Sequence, residues 1–190
     1  MADRLVSPRK IMIKEHIKVI KSLDINEITR IASVIVKAFE DGNKLLVAGN
    51  GGSAADAQHF VAELVGKFEK KRKGLPAIAL NTNNLIITAV ANDCHFNEVF
   101  ARQIEALAER YDIFFAISTS GNSKNIIKAL SQAKKIGCFT IGLTGRDGGK
   151  MAKGYCNYLI KVDSDNTARI QEAHILIIHI ICKLIEDALF

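Results

Sequence analysis

The chain has 190 residues, 48% of them hydrophobic, and a formal net charge of +6. That length is typical of one domain with a full core, and no apolar run reaches the roughly 18 residues that suggest a membrane-spanning helix. Basic residues are dense only over Lys67–Lys73, and the chain has no Trp to stack on bases. We therefore expect a soluble, single-domain protein that binds neither nucleic acid nor membranes.

Cysteine usage and the N-terminus both favour a cytoplasmic protein. The N-terminal segment MADRLVSPRK lacks the apolar stretch of a secretory signal peptide. No Cys-x-x-Cys pair occurs, which favours reduced thiols over a disulfide framework or a metal site. The four scattered cysteines are Cys94, Cys138, Cys156 and Cys182.

The first 42 residues predict two amphipathic helices. Apolar residues recur at near-helical spacing from Ile11 to Leu23, and Asp24 or Asn26 can cap a second helix that Asp41-Gly42 ends. Nothing in this segment suggests catalysis. We expect residues 1–42 to pack on the oligomer and residues 43–190 to form the core of the same single domain.

From residue 43 onward, strand-like apolar runs alternate with helical patterns. The predicted strands are 45–48, 77–80, 111–117, 138–143 and 158–162, and the predicted helices are 53–67, 84–91, 95–108, 123–136, 148–153 and 167–188. This alternation predicts an α/β fold, a doubly wound five-stranded parallel sheet flanked by helices.

A glycine-rich turn follows the first predicted strand. Gly49, Gly51 and Gly52 allow a tight turn and a close approach of backbone to ligand, and Ser53 is expected to be the N-cap of the next helix. The spacing is neither a dinucleotide fingerprint nor a P-loop. A phosphate or polar sugar at the helix N-terminus is the better interpretation. On that helix His59 and Glu63 are four residues apart and share a face.

A second polar loop, Ser118–Ser123, follows the third predicted strand and opens into a helix. Ligands of parallel sheets bind at the carboxyl ends of the strands, where this loop and the glycine turn are both expected. Its hydroxyl groups beside a helix N-terminus predict phosphate binding. The turn at 144–149, after the fourth strand, is a weaker candidate.

These residues resemble the sugar isomerase (SIS) domain, and more narrowly the phosphoheptose isomerases. The resemblance covers nearly the whole chain, and the pairing of QHFxAEL with RIQExHxxxxH is its most specific part. The matching blocks are GNGGSAADAQHFVAEL (49–64), AVANDCHFNEVFARQIEAL (89–107), ISTSGNS (117–123), TIGLTGRDGGKM (140–151) and TARIQEAHILIIH (167–179).

The resemblance implies an aldose–ketose isomerase that interconverts sedoheptulose 7-phosphate and D-glycero-D-manno-heptose 7-phosphate for bacterial lipopolysaccharide or capsule. It implies a homotetramer with sites between subunits. By position, Glu63 and His179 match the family's acid/base pair, and a zinc ion (Zn²⁺) would be held by His59, Glu63, Gln171 and His179. The implied phosphate ligands are Ser53, Ser118, Thr119, Ser120 and Ser123, and the implied sugar contacts are Asn50, Gly51, Gly52, Asn92 and Asp93, with Glu63 and Gln171 also facing the substrate.

The chemistry of the residues agrees with that implication. Moving a carbonyl between C1 and C2 needs a base for a C–H proton and a group that shuttles the hydroxyl proton, tasks that suit a carboxylate and an imidazole. A zinc ion would polarise the carbonyl. Gln171 and His179 lie eight residues apart, about 12 Å along a helix, so both reach one metal only with extended side chains or with a neighbouring subunit.

Two places depart from the family's pattern: Lys67 stands where Arg is usual, and Asn81–Asn84 replaces a mixture of Asp, Ser and Thr. Three alternatives stay open. The first is a non-catalytic SIS protein that binds the bacterial replication initiator, the second an isomerase of arabinose 5-phosphate, and the third a sugar-phosphate sensor. No DNA-binding appendage accompanies the domain, which disfavours the sensor.

Overall fold

Five parallel strands form one sheet in the order β2-β1-β3-β4-β5. In this computed structural model the backbone is described for residues 2–190 and the side chains for residues 9–190. The strands are β1 (Leu45–Ala48), β2 (Ala77–Ala79), β3 (Ile113–Ser118), β4 (Phe139–Gly145) and β5 (Tyr158–Val162). The helices are α1 (Ala2–Lys21), α2 (Ile25–Glu40), α3 (Gly52–Val65), α4 (Asn84–Asp93), α5 (Val99–Leu107), α6 (Lys124–Ile136) and α7 (Thr167–Leu189). The predicted α/β fold is confirmed.

Alternate residues of the central strands face two separate cores, as the pleat requires. Leu45, Val47 and Phe115 pack with α2, α3 and α7 on one face. Leu46 and Phe114 pack with α5 and α6 on the other. Since both faces of β1 and β3 are covered by helices, these strands are apolar except for Ser118 at the end of β3.

The chain changes face between β1 and β3, which are adjacent in the sheet. The crossover from β1 through α3 leads outward to β2, and the crossover from β3 through α6 leads in the opposite direction to β4. A crevice opens at such a switch point, at the carboxyl ends of the two strands. The two candidate loops both begin there.

The two N-terminal helices pack on α7 of their own chain. Asp24 caps α2 by accepting a hydrogen bond from Glu27 N–H at 3.1 Å, as predicted. Arg169 is buried and donates to the carbonyl of Met12 at 2.9 Å. The imidazole of His16 lies 2.8 Å from the carboxylate of Glu172. These contacts hold α1 against α7. Arg169 and Glu172 are therefore structural residues, which pair with Met12 and His16 of α1.

The predicted short helix at 148–153 is wrong, because this segment consists of turns. Gly148, Gly149 and Gly154 have φ angles of 86°, 52° and 82°. A right-handed helix does not accommodate left-handed backbone, so the glycines break it.

Most other element boundaries lie within one or two residues of prediction. The third strand begins at Ile113 rather than at 111, because Tyr111 has a φ of 75° and Asp112 turns its carboxylate back to accept from Lys44 N–H at 2.9 Å. The helix predicted at 95–108 is divided into a 3₁₀ turn, Phe96–Glu98, and α5. Among the described residues, no helix combines the length and the apolar character needed to span a bilayer.

Candidate active site

The glycine turn after β1 opens directly into α3. Gly51, with a φ of 55°, is the N-cap residue of that helix. The expectation that Ser53 caps α3 is therefore wrong: Ser53 lies in the first turn, and its side chain is buried without capping the helix. The N-terminus of α3 still lies at the carboxyl end of β1, as an anion site requires, although the N–H groups of Ser53 and Ala54 donate to the carbonyls of Asn50 and Gly51 within the turn.

A pair of asparagines bridges the crevice between the two loops. The Asn50 side-chain amide donates to Asn125 Oδ1 at 2.9 Å, and the Asn125 amide donates to Asn50 Oδ1 at 2.8 Å. Asn125 is buried in the first turn of α6. The predicted sugar contact Asn50 is thus held in place by a residue that the sequence reasoning did not select.

The departure at Asn81–Asn84 supports the same turn. Asn81 donates to the carbonyl of Gly49 at 2.7 Å and accepts from Gly49 N–H at 3.3 Å. Asn83 caps α4 by accepting from the N–H groups of Leu85 and Ile86, both at 3.1 Å. These asparagines act on the backbone, so the departure preserves the shape of the turn.

The hydroxyl loop at the end of β3 gathers side chains around the N-terminus of α6. The Oγ atoms of Ser118 and Ser123 lie 3.0 Å apart, and Ser120 Oγ accepts from Asn122 N–H at 3.2 Å. The carbonyl of Thr119 accepts from Gly145 N–H at 3.1 Å. The loop is therefore held by contacts within it and by β4, and it presents hydroxyl groups at a helix N-terminus, a position suited to a phosphate.

Three side chains from two helices converge about two or three helical turns beyond the glycine turn. His59 Nε2 lies 3.0 Å from Glu63 Oε1 and 3.3 Å from His179 Nε2. The ligand atoms of all three lie within 4.8 Å of one another. His59 and Glu63 come from α3 and His179 from α7, so the predicted grouping of these residues is observed.

Two imidazole nitrogens and a carboxylate oxygen form a donor set that suits zinc. Catalytic zinc sites use three protein ligands of these types and leave a further position to water or substrate. The Nε2 atoms of His59 and His179 face each other at 3.3 Å, an arrangement that a shared proton or a shared cation stabilises. The geometry therefore fits a three-residue metal site.

The remaining predicted residues lie elsewhere along the crevice. Gln171 lies against Gly52, where a Cβ atom would come within 2.2 Å of Gln171 Nε2. This contact is eight residues, about 12 Å of helix, from His179. Asn92 and Asp93 are exposed at the end of α4, where the Asn92 amide donates to Asp93 at 2.8 Å. Their roles toward substrate stay predictions.

Asp56 is a candidate that the sequence reasoning missed. It lies on α3 between Ser53 and His59, at a spacing that places all three near one face. Its Oδ2 atom is buried and has no hydrogen-bond partner. Burial raises the pKa of Asp56 to about 6, although the nearby His59 lowers it. The signal in the sequence was its position three residues before His59.

We expect that Gly49→Ala abolishes the shape of the glycine turn. A Cβ atom at this position would lie 2.3 Å from the backbone oxygen of Ser53, and no rotamer change relieves a clash with backbone. The expected loss of stability is about 1–3 kcal/mol, as for overpacked cores. Urea unfolding measures it. Gly42→Ala, whose Cβ would have no atom within 4 Å but whose φ is 81°, gives for comparison the cost of left-handed backbone without a clash. An unchanged midpoint for Gly49→Ala would contradict the expectation.

The family model of the SIS domain matches residues 12–145. A phosphoheptose isomerase of Geotalea daltonii is 52% identical over 189 residues, 98% of this chain and 98% of that protein. A probable phosphoheptose isomerase of Thermoplasma acidophilum is 57% identical over 166 residues, 87% of this chain and 91% of that protein. The solved structure of a phosphoheptose isomerase from Francisella tularensis superposes with a TM-score of 0.91 at 39% identity and covers 98% of both chains.

Proposed function

Because the chain belongs to the SIS domain family and, within it, to the phosphoheptose isomerases, we propose that it interconverts sedoheptulose 7-phosphate and D-glycero-D-manno-heptose 7-phosphate. By this membership it is an aldose–ketose isomerase. The observation that carries the proposal is the convergence of His59, Glu63 and His179 on α3 and α7, the two helices that also meet at the glycine turn through Gly52 and Gln171.

Glu63 and His179 are proposed to exchange the protons of the reaction. One removes the proton from the carbon beside the carbonyl, which gives a cis-enediol, and the other moves the proton between the two oxygens. Both groups lie within the same 4.8 Å cluster, so they reach adjacent atoms of one substrate. Glu63 is only 24% exposed, which favours proton transfer shielded from bulk water.

The two loops are proposed to hold the phosphate and orient the sugar chain. Ser53, Ser118, Thr119, Ser120 and Ser123 lie at two helix N-termini, whose dipoles attract a phosphate. A fixed phosphate places the far end of an extended seven-carbon chain at the histidines. The sugar hydroxyls are proposed to bind Asn50, Gly51, Gly52 and Gln171, of which Gln171 already contacts Gly52.

A zinc ion is proposed to complete the site. His59, Glu63 and His179 would hold it, and Gln171 would join them only after its side chain leaves Gly52 or through a neighbouring subunit. Bound there, zinc would supply Lewis-acid polarisation of the substrate carbonyl. A carboxylate or imidazole that binds a metal is a weaker base, so Glu63 and His179 serve as ligands and as proton carriers at different stages.

We also propose a homo-oligomer, a tetramer, that works in the cytoplasm. Its support is the apolar surface of α1, where Ile11, Met12, Ile13 and Ile17 are between 46% and 61% exposed. A second copy of the chain would cover such a surface. The heptose phosphate would feed lipopolysaccharide or capsule synthesis.

The proposed function is tested with purified protein and sedoheptulose 7-phosphate, with aldose formation followed by NMR. We expect turnover that a chelator lowers and added zinc restores. Ribulose 5-phosphate, the ketose partner of arabinose 5-phosphate, is run in parallel and is expected to react much more slowly. Absence of turnover of sedoheptulose 7-phosphate, even with added zinc, would overturn the proposal that the chain is a heptose phosphate isomerase. Turnover of the pentose alone would favour the arabinose 5-phosphate isomerase, and turnover of neither would favour the SIS protein that binds the replication initiator.

A further inference from the structure

The loop between α3 and β2, residues 66–76, folds back onto α7 and is anchored by one carboxylate. Glu186 is fully buried. It accepts hydrogen bonds from the N–H groups of Phe68, Glu69 and Lys70 at 3.3, 2.8 and 2.7 Å. It also accepts from Arg72 Nε at 2.9 Å. Although burial raises the pKa of Glu186, these four donors lower it to about 2, so the carboxylate is ionised at neutral pH.

Arg72 links Glu186 to the backbone of Glu63, because it donates hydrogen bonds to both. Its side chain is only 2% exposed, and its donors are directed inward. It donates to the carbonyl of Glu63 at 2.8 Å, to that of Leu64 at 2.8 Å and to that of Lys73 at 3.1 Å. The carbonyls of the last helical turn have no partner within a helix, so the guanidinium caps α3 at the turn that bears Glu63.

The same loop also contacts the opposite half of the site. The ring of Phe68 lies 5.6 Å from the ring of His179, centroid to centroid. His179 and Glu186 are seven residues apart, two turns of α7, and therefore share a face. Glu186 thus fixes the loop to α7 next to His179, while Arg72 fixes it to α3 at Glu63.

We propose that Arg72 and Glu186 are positioning residues, which set the distance between Glu63 on α3 and His179 on α7. This inference rests on the proposed function, because it concerns the pair that would carry the protons or hold zinc. Neither residue contacts the reacting atoms; both act through the backbone of Glu63 and through Phe68.

The physical argument is that a buried ion pair is a poor way to stabilise a fold. Desolvation of two charges offsets most of their attraction, so an apolar pair of similar volume stabilises as well or better. What the ion pair adds here is a defined geometry. Glu186 accepts four hydrogen bonds and Arg72 donates to three carbonyls, and together these contacts fix one arrangement of α3 against α7. Catalysis and metal binding need such precision, since a misplacement of about 1 Å costs about 100-fold in rate.

The decisive variant is Arg72→Lys. Lysine keeps a positive charge for Glu186, but it has no planar fork to reach the two carbonyls of α3 at the same time. The matched control is Lys70→Met on the same loop. It removes the ion pair of Lys70 with Asp187 of α7 and leaves the Arg72 contacts in place. Three quantities are measured for each: kcat and KM, zinc affinity of the metal-free protein by calorimetry with zinc chloride alone, and the NMR resonances of the His179 ring without metal.

For Arg72→Lys we expect kcat to fall roughly 10- to 100-fold while KM changes by less than about threefold, and zinc affinity to fall by a similar factor to kcat. The His179 ring resonances should shift in Arg72→Lys and not in Lys70→Met. A folded Arg72→Lys protein with wild-type kcat, zinc affinity and His179 resonances would overturn the proposal.

A second variant, Phe68→Leu, keeps the test available if Arg72→Lys does not fold. It removes the ring contact with His179 and leaves an apolar side chain against the core on which Phe68 packs, so we expect a roughly two- to tenfold loss of kcat and a shift of the His179 resonances. An unchanged kcat and unchanged resonances would again overturn the proposal. Should the wild type not turn over the heptose phosphate, the proposed function fails, and the His179 resonances of Arg72→Lys still decide whether Arg72 positions the site.

Discussion

Glu63→Gln and His179→Gln are each expected to lower kcat for sedoheptulose 7-phosphate by roughly 10²- to 10⁴-fold, the usual worth of a general acid or base. Glutamine matches the size of glutamate and can still meet His59, which now lies 3.0 Å from Glu63. It cannot accept a proton from carbon. KM should change little, because the phosphate loops that hold the substrate are untouched.

The comparison with His59→Gln separates proton transfer from metal binding. His59 belongs to the proposed metal set but not to the acid/base pair, so His59→Gln should lose zinc affinity and recover part of its activity with excess zinc. Glu63→Gln should recover none. The double variant Glu63→Gln/His179→Gln should be about as slow as either single variant, because residues that act as a unit are not additive. A kcat within tenfold of wild type for either single variant would contradict the assignment.

Acid is expected to destabilise the fold through His174, by about 3 kcal/mol at most between pH 6.5 and pH 4. His174 is fully buried in α7, and neither ring nitrogen has a hydrogen-bond partner. Burial lowers its pKa from 6.5 to about 4, an effect that the nearby Thr144 carbonyl only partly offsets.

The direction follows from which state binds the proton. Between pH 6.5 and 4 the unfolded chain protonates His174 and the native protein does not, so the free energy of unfolding falls as the pH is lowered. The full stability is present above pH 6.5, and no further loss from this residue occurs below pH 4. About 2.5 pKa units at 1.36 kcal/mol each give the expected size.

The difference in acid-induced loss of stability between wild type and His174→Leu separates the effect of His174 from the effects of carboxylates. Asp56 acts in the opposite direction, because its raised pKa makes the native state bind protons below pH 6, and Glu186 adds an acid-induced loss only below about pH 4.5. Both carboxyl groups are present in wild type and in His174→Leu, so their effects cancel in the difference. Urea unfolding at pH 7, 5.5 and 4.5 should show a smaller acid-induced loss for His174→Leu. Equal losses in both proteins would contradict the assignment to His174.

Local patterns in the sequence were sufficient to predict the sheet and the loops. The fully apolar run at 45–48 is typical of a strand buried on both faces, and the alternation of strands and helices is typical of parallel strands. Strand β1 and the parallel direction of the strands could therefore be predicted. The pairing of His59 with Glu63 follows from helical spacing. By contrast, the helix predicted at 148–153 failed because Gly148 and Gly149 within it, and Gly154 directly after it, adopt positive φ, which spacing alone does not reveal.

What the sequence could not reveal are contacts between distant residues. Asn50 and Asn125 are 75 residues apart and pair across the crevice. Arg72 and Glu186 are 114 residues apart; the first lies within a basic run that resembles a solvated loop, and the second lies near a helix end. Such side chains look exposed in a linear pattern, and only the packing of the loop on α7 buries them.

The most direct test of proton transfer in this crevice is isomerisation of sedoheptulose 7-phosphate in ²H₂O by the wild-type protein. A cis-enediol that forms at Glu63 and His179 exchanges its carbon-bound proton through these groups, so deuterium should appear at C2 of the aldose and at C1 of the recovered ketose. Glu63→Gln should show neither turnover nor exchange. Full turnover with no deuterium in product or recovered substrate, even after prolonged incubation at equilibrium in which a shielded carboxyl group would still exchange with the solvent, would indicate direct hydride transfer and would contradict the roles given to Glu63 and His179.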